Sequence, residues 1–300
     1  MQLNKIFGDT MGFLGLLCAL LRFRNCFIGF IGVLVGASFT YSGVGLFLSA
    51  EVLIAGLAVF LIIGAGNILN DYFDIEIDKI NKPHKPLPSC RISKSDALML
   101  SIILFLFGVG LSKLINIYVL YLAALNTIIL ILYAAYSKRM FFTSNLVVSY
   151  LVASIFVYGA LINVDDLLFM PSSTLNVLYV LVLCSFFMTL AREVVKDIED
   201  VKGDEYKYSQ TLPIRLGVSA SRKLAAFFTV LAVVISLLLF FWDVGSFNLV
   251  VYGVFIVLAD LVFLASVFMP ENIAQRIMVG GMFISLNAFL LGDVASKILF

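Results

Sequence analysis

Apolar runs long enough to cross a bilayer recur from one end of this chain to the other. In lipid the backbone must satisfy its own hydrogen bonds, so a long apolar run defaults to a helix. Each crossing needs roughly 20 apolar residues. The runs predict about nine transmembrane helices, at Cys26–Leu48, Val52–Tyr72, Ala97–Leu114, Tyr118–Tyr136, Asn145–Ile162, Leu175–Val195, Lys223–Phe241, Phe247–Phe268 and Ile273–Leu291. Hydrophobic residues make up 62% of the 300 and mean hydropathy is +1.09. Soluble domains sit nearer 45–50% apolar, so lipid must be the solvent for much of this surface. The expected fold class is an all-α polytopic membrane protein, one transmembrane domain over residues 1–300. Met1–Leu21 is expected to lie in the interface as an amphipathic helix. Met1–Thr10 is polar and no small-residue cleavage site follows it, so no secretory signal peptide is expected.

Net charge is +1, which points to no nucleic-acid or acidic partner; the placement of the charges is informative instead. With the N-terminus inside, all of the 20 Lys and Arg except Lys113 and Lys297 fall on the cytoplasmic side. That is a strong positive-inside bias, and it predicts a cell-membrane protein with its long loops, 71–96 and 196–222, in the cytoplasm. Loops on a rigid scaffold are where function concentrates. Ser93 or Ser95, and Ser219, are expected to cap the helices that follow these loops.

The ends of the second and sixth spans carry acids. Asn67, Asp71, Asp74 and Asp78 are spaced i, i+4, i+7, i+11, which places them on one face of a helix. Glu193, Asp197, Asp200 and Asp204 repeat that spacing. Lys85-Pro86-Leu87-Pro88 follows the first row and Thr211-Leu212-Pro213 the second. Both rows follow even-numbered spans and so share a membrane side. The echo suggests pseudo-duplicated four-helix units.

Two like-charged rows at a membrane surface repel each other and are costly near lipid. A divalent cation removes both problems. Magnesium takes oxygen ligands and shares one or two carboxylates with substrate phosphates, so the rows read as a Mg2+-diphosphate clamp. Zinc is disfavoured for want of a His/Cys set. The one histidine, His84, reads as surface filler in a Lys/Pro-rich loop. Cys18, Cys26, Cys90 and Cys184 are scattered and read as free thiols.

These residues resemble a known family. Asn70-Asp71-x-x-Asp74-x-x-x-Asp78 resembles the first Asp-rich motif of the UbiA intramembrane prenyltransferases. Asp200-x-x-x-Asp204, with Pro213 and Gly217 behind it, resembles the second. The resemblance implies nine helices around a central cavity. It also implies an isoprenyl diphosphate donor held by Mg2+ and a lipophilic acceptor. Asn70, Asp71, Asp74, Asp78, Asp200 and Asp204 would form the metal-diphosphate site, with Asn67 beside them. Arg22-Phe-Arg24-Asn25 is similar to the family's Arg-Pro-x-Asn, with Phe23 in place of proline, and makes Asn25 a pocket candidate. The family's Tyr-x-x-x-Lys departs here: Tyr136 is followed by Lys138 and Arg139, but Met140 takes the lysine position. Asn81–Ser89 and Arg192–Asp204 look most like an archaeal branch of the family. That branch joins a second geranylgeranyl group to geranylgeranylglyceryl phosphate by an ether bond.

In this reading Lys85, Arg139, Arg192 and Lys196 assist departure of the diphosphate while an apolar tunnel excludes water. Basic residues between Lys79 and Lys94 are candidates for the acceptor's phosphate. Two alternatives stay open: prenylation of an aromatic acceptor such as 4-hydroxybenzoate or a quinone precursor, and a cation-coupled transporter. Asp260 and Asp293 are acids inside spans; the first is a candidate for function and the second marks an interface.

Overall fold

The computed structural model describes residues 2–41, 49–136, 141–201 and 210–299. Among them every regular element is a helix. We number them α1 (Gln2–Leu21), α2 (Phe23–Ser38), α3 (Ala50–Phe73), α4 (Ile75–Asn81), α5 (Lys94–Lys113), α6 (Ile117–Tyr136) and α7 (Thr143–Ala160). There follow α8 (Val164–Leu168), α9 (Ser172–Glu199), α10 (Leu212–Leu216), α11 (Val218–Ser236), α12 (Leu249–Ser266) and α13 (Glu271–Leu299).

By length and apolar composition 8 of the described helices can cross a membrane, and a ninth crossing exists if the bent pair Gly12–Leu21 and Phe23–Ser38 is one span. Those segments meet at 59°. The bend has a local cause: Arg22 between them is in the left-handed region (φ 53°), which ends one helix before the next begins. The first span is thus shorter at its far end than the sequence predicts, since α2 stops at Ser38. Residues 42–48 of the expected span lie outside the described residues. The last helix is longer than predicted, reaching Leu299.

Each spanning helix packs against the next in sequence, and α13 returns to α2 and α9, closing a ring. The α2–α7 crossing is close. A Cβ on Gly36 would lie 2.1 Å from the Phe156 carbonyl oxygen, and one on Gly159 would lie 2.4 Å from that of Val33. Small residues at crossings are how membrane helices gain packing in the absence of a hydrophobic drive between them.

Of the two serines expected to cap α5, Ser93 does so, its hydroxyl accepting from the Asp96 amide at 3.1 Å. The cap expected at Ser219 is corrected. Ser219 caps nothing, because α11 already starts at Val218, where Gly217 (φ 84°) supplies a turn that side chains resist. The first acidic row does not ride one continuous helix either. α3 ends at Phe73, Asp74 sits at the junction (φ −93°, ψ 9°), and α4 restarts at Ile75. The row is therefore carried on two segments that meet at Asp74.

Candidate active site

The segment after α4 positions the first group of charges. Consecutive turns, with Lys85 N–H donating to Lys82 O and Ser89 N–H to Lys85 O, fold it back toward α3. Arg91 clamps it by donating to the His84 carbonyl at 2.6 Å. Leu87 anchors it in a small core with Leu20, Ile68, Ile75 and Ala97. Lys85 is thereby aimed between two buried carboxylates, 2.8 Å from Asp71 and 2.6 Å from Asp78. Arg22, at the bend before α2, reaches Asp71 at 2.6 Å. Burial pushes the Asp78 carboxyl up from its ordinary range, opposed by the Lys85 ammonium. Asp74 turns the other way and accepts from Asn70 at 3.1 Å. Asn67 donates to the Leu21 carbonyl at 2.9 Å, tying α3 to the end of α1.

The second row occupies the end of α9. Glu193 is buried, with Arg192 on one oxygen at 2.9 Å and Lys196 on the other at 2.8 Å. Asp197 accepts from Asn145 of α7 at 2.8 Å. Glu199 accepts from Gln275 of α13. Asp200 caps α9 and pairs with Lys82 at 2.9 Å. That last contact joins residues 118 apart in sequence. It joins the end of α4 to the end of α9. Asp204, Lys138 and Arg139 lie outside the described residues.

Below these ends lies a cavity of ≈ 360 Å³, within the size range of small-molecule sites. Its polar rim includes Arg22, Asn25, Asn67, Asn70, Arg192 and Lys196, and its walls are mostly Ile, Leu, Val and Phe. The carboxylates Asp71, Asp74, Asp78 and Asp200, and Lys85, are not part of the lining; they gather beyond its polar end. Tyr136 is exposed at the end of α6, whereas Tyr133, one turn earlier, lines the cavity. Sequence reasoning missed Tyr133, the pairing of Lys82, and Asn145. A register count along α6 would have found Tyr133, since positions three apart share a helix face; no local signal marks Lys82 over the other loop lysines.

Asp260 lines the cavity and is held by Ser236 at 2.7 Å, whose carbonyl accepts from the Tyr252 hydroxyl at 2.9 Å. Asp293 pairs with Lys297 at 2.9 Å, and Lys297 also donates to the Tyr41 carbonyl at 2.9 Å, tying α13 to the end of α2.

Among the described residues no three His, Cys, Asp or Glu converge as a ready-made ion site. The acid-bearing ends nevertheless fit a hard divalent cation. Their donors are carboxylate and amide oxygens, which suit magnesium over zinc. His84, the single imidazole, is exposed in the loop. The positive charge on these carboxylates comes from Arg22, Lys82 and Lys85.

The sequence matches the UbiA prenyltransferase family over residues 10–287. It is 36% identical over 291 residues to digeranylgeranylglyceryl phosphate synthase from Methanosarcina mazei, covering 91% of this chain and 96% of that protein. It is similar to a solved structure of digeranylgeranylglyceryl phosphate synthase in membranes, with a TM-score of 0.69 and 32% identity, covering 94% of this chain and 99% of that one. It also shares the fold of a UbiA homologue from Archaeoglobus fulgidus bound to GPP and Mg2+, with a TM-score of 0.67 and 13% identity, covering 93% of this chain and 99% of that one.

Proposed function

The chain belongs to the UbiA prenyltransferase family, and from that premise we propose that it is a digeranylgeranylglyceryl phosphate synthase. It transfers the geranylgeranyl group of geranylgeranyl diphosphate to geranylgeranylglyceryl phosphate, in a Mg2+-dependent reaction that makes the second ether bond of archaeal membrane lipid. The observation that carries this reading is the meeting of the two acid-bearing ends, bridged by Lys82 and Asp200 at 2.9 Å, over an apolar cavity. Relatives of that name at 36% and 32% identity support the choice of substrates. A relative bound to GPP and Mg2+ supports the choice of donor and metal. Family membership sets the transporter reading aside.

The allylic C–O bond of the donor breaks, the diphosphate leaves with the electron pair, and the acceptor's hydroxyl oxygen bonds to the same carbon and sheds its proton. Asp71, Asp74, Asp78 and Asp200 would hold the metal, together with Asp204. Bound there, magnesium neutralises charge on the leaving diphosphate. Lys85 and Arg22 keep the carboxylates in place. Asn25, Asn67 and Asn70 orient polar groups at the rim. The apolar walls take the isoprenoid chain and keep water from a developing allyl cation. The acid-bearing ends are assigned to the cytoplasmic side on the distribution of Lys and Arg.

The test is a vesicle assay with labelled geranylgeranyl diphosphate, Mg2+ and a panel of acceptors. Labelled ether lipid formed with geranylgeranylglyceryl phosphate is expected. Label appearing only on 4-hydroxybenzoate or a quinone precursor would overturn the proposal.

A further inference from the structure

The reaction brings two phosphorylated lipids together, so the site has two anions to hold. The acid-bearing ends account for one of them through metal. Of the five basic residues from which sequence analysis drew a pocket for the other, four are already committed, and the fifth, Lys94, is exposed at the start of α5. Lys79 is on Glu76, Lys82 on Asp200, Lys85 on Asp71 and Asp78, and Arg91 on the His84 carbonyl. Among the described residues the cations that face the cavity are elsewhere: Arg192 and Lys196 on α9, with Arg22 opposite. Arg22 is held by Asp71 at 2.6 Å.

Arg192 and Lys196 are four residues apart, so they stand on one face of α9. Glu193 binds both, one oxygen each, at 2.9 and 2.8 Å. One carboxylate cannot balance two cations, so the cluster keeps a net positive charge at the cavity wall. Arg192 also has donor capacity to spare. Its carboxylate contact uses Nη1, and its Nε is buried without a hydrogen-bond partner among the described residues. A guanidinium is a planar fork suited to a phosphate, and a buried N–H left unpaired is costly. Both are answered by a phosphate oxygen in the cavity. Among the described residues Glu193 is the one acid of the two rows in the cavity lining; Asp71, Asp74, Asp78, Asp197 and Asp200 lie outside it.

We propose that Arg192 and Lys196, held apart and oriented by Glu193, form the subsite for the phosphomonoester of the acceptor lipid, distinct from the carboxylates that take the donor's diphosphate. This rests on the reading of the acceptor as geranylgeranylglyceryl phosphate. Arg192 and Lys196 contact substrate; Glu193 is a positioning residue.

The experiment measures steady-state kinetics for both substrates in Lys196→Met and in the double variant Arg192→Met with Glu193→Gln. The double change removes opposite charges together, so the variant avoids an unpaired buried carboxylate. Loss of one or two charge-assisted hydrogen bonds predicts an acceptor KM raised about ten- to a hundredfold, with the KM for geranylgeranyl diphosphate within about twofold of the parent. The phosphate-free alcohol, geranylgeranylglycerol, is the control. The parent should use it poorly, and the variants should be no worse on it than the parent. Glu193→Gln alone should raise acceptor KM by less than either cation loss. A rise confined to the donor's KM, or an equal loss on the phosphate-free alcohol, overturns the subsite while leaving prenyl transfer intact. Failure of the parent to prenylate any glycerol lipid overturns the functional reading itself.

Discussion

Replacing Lys85 by methionine probes the charge balance of the acid-bearing ends. Lys85 is 16% exposed and bridges Asp71 and Asp78, which are 2% and 7% exposed at their side chains. In the variant Asp71 keeps Arg22 at 2.6 Å, but Asp78 loses its ion-pair partner among the described residues. Breaking a buried pair by removing one member costs about 3–5 kcal/mol, because the remaining charge is left uncompensated. At the low end, about 3 kcal/mol, the melting temperature should fall by roughly 6–12 °C on the scale of proteins of 150–250 residues. Magnesium should then act differently on the two proteins. A cation bound to the same carboxylates replaces the missing charge, and saturation at a hundred times Kd restores about 2.7 kcal/mol. In the parent, Lys85 already occupies those oxygens and competes with the ion, so the gain is smaller. The assay is thermal unfolding of purified protein in detergent, with chelator and then with Mg2+. The reasoning predicts a large loss in chelator and a Mg2+-induced rise larger for Lys85→Met than for the parent. A variant as stable as the parent in chelator, or one destabilised equally with and without Mg2+, would refute it.

Asp71→Ala and Asp200→Ala should each lower kcat by about a hundredfold or more, comparable to losing a principal electrostatic stabiliser of the transition state; turnover near the parent's in either would remove that residue from the site. Gly36→Val should destabilise the protein by about 1–3 kcal/mol, the usual cost of overpacking, because a Cβ there lies 2.1 Å from the Phe156 carbonyl; unchanged thermal stability would contradict the close crossing. Lys297→Met should loosen α13 from α2 by removing its bonds to Asp293 and to the Tyr41 carbonyl. It should speed amide exchange near Tyr41 while sparing the α9 end; uniform protection would argue against that tie.

The helices were legible because lipid enforces one rule on every apolar run, and long runs leave little room for another structure. Their ends were less so. Nothing in Leu21-Arg22-Phe23 announces a left-handed residue, nor that Arg22 at this 59° bend reaches Asp71, 49 positions away. The acidic spacing was read along one helix, and that helix is not continuous. Asp71 and Asp78 still share a partner, because the returning loop brings Lys85 to both. Periodicity reads a face, but it cannot see a lysine arriving from a loop. Tyr136, to which the family motif drew attention, is the exposed last residue of α6, while the cavity is met one turn earlier by Tyr133.

That difference between row and cavity organises the chemistry. Carboxylates at a membrane boundary need counter-charges at all times, whatever substrate is present. Here those charges are covalently part of the chain: Arg22 from the bend before α2, and Lys82 and Lys85 from the loop after α4. Each comes from a different segment than the acid it neutralises or from a turn folded back on it, so the ion pairs also fix where those segments lie. The same contacts that make two acidic rows tolerable also join the end of α4 to the end of α9. Under the proposed function, stability and diphosphate binding at this end of the molecule would depend on one set of bonds, and a change in one of them should register in both.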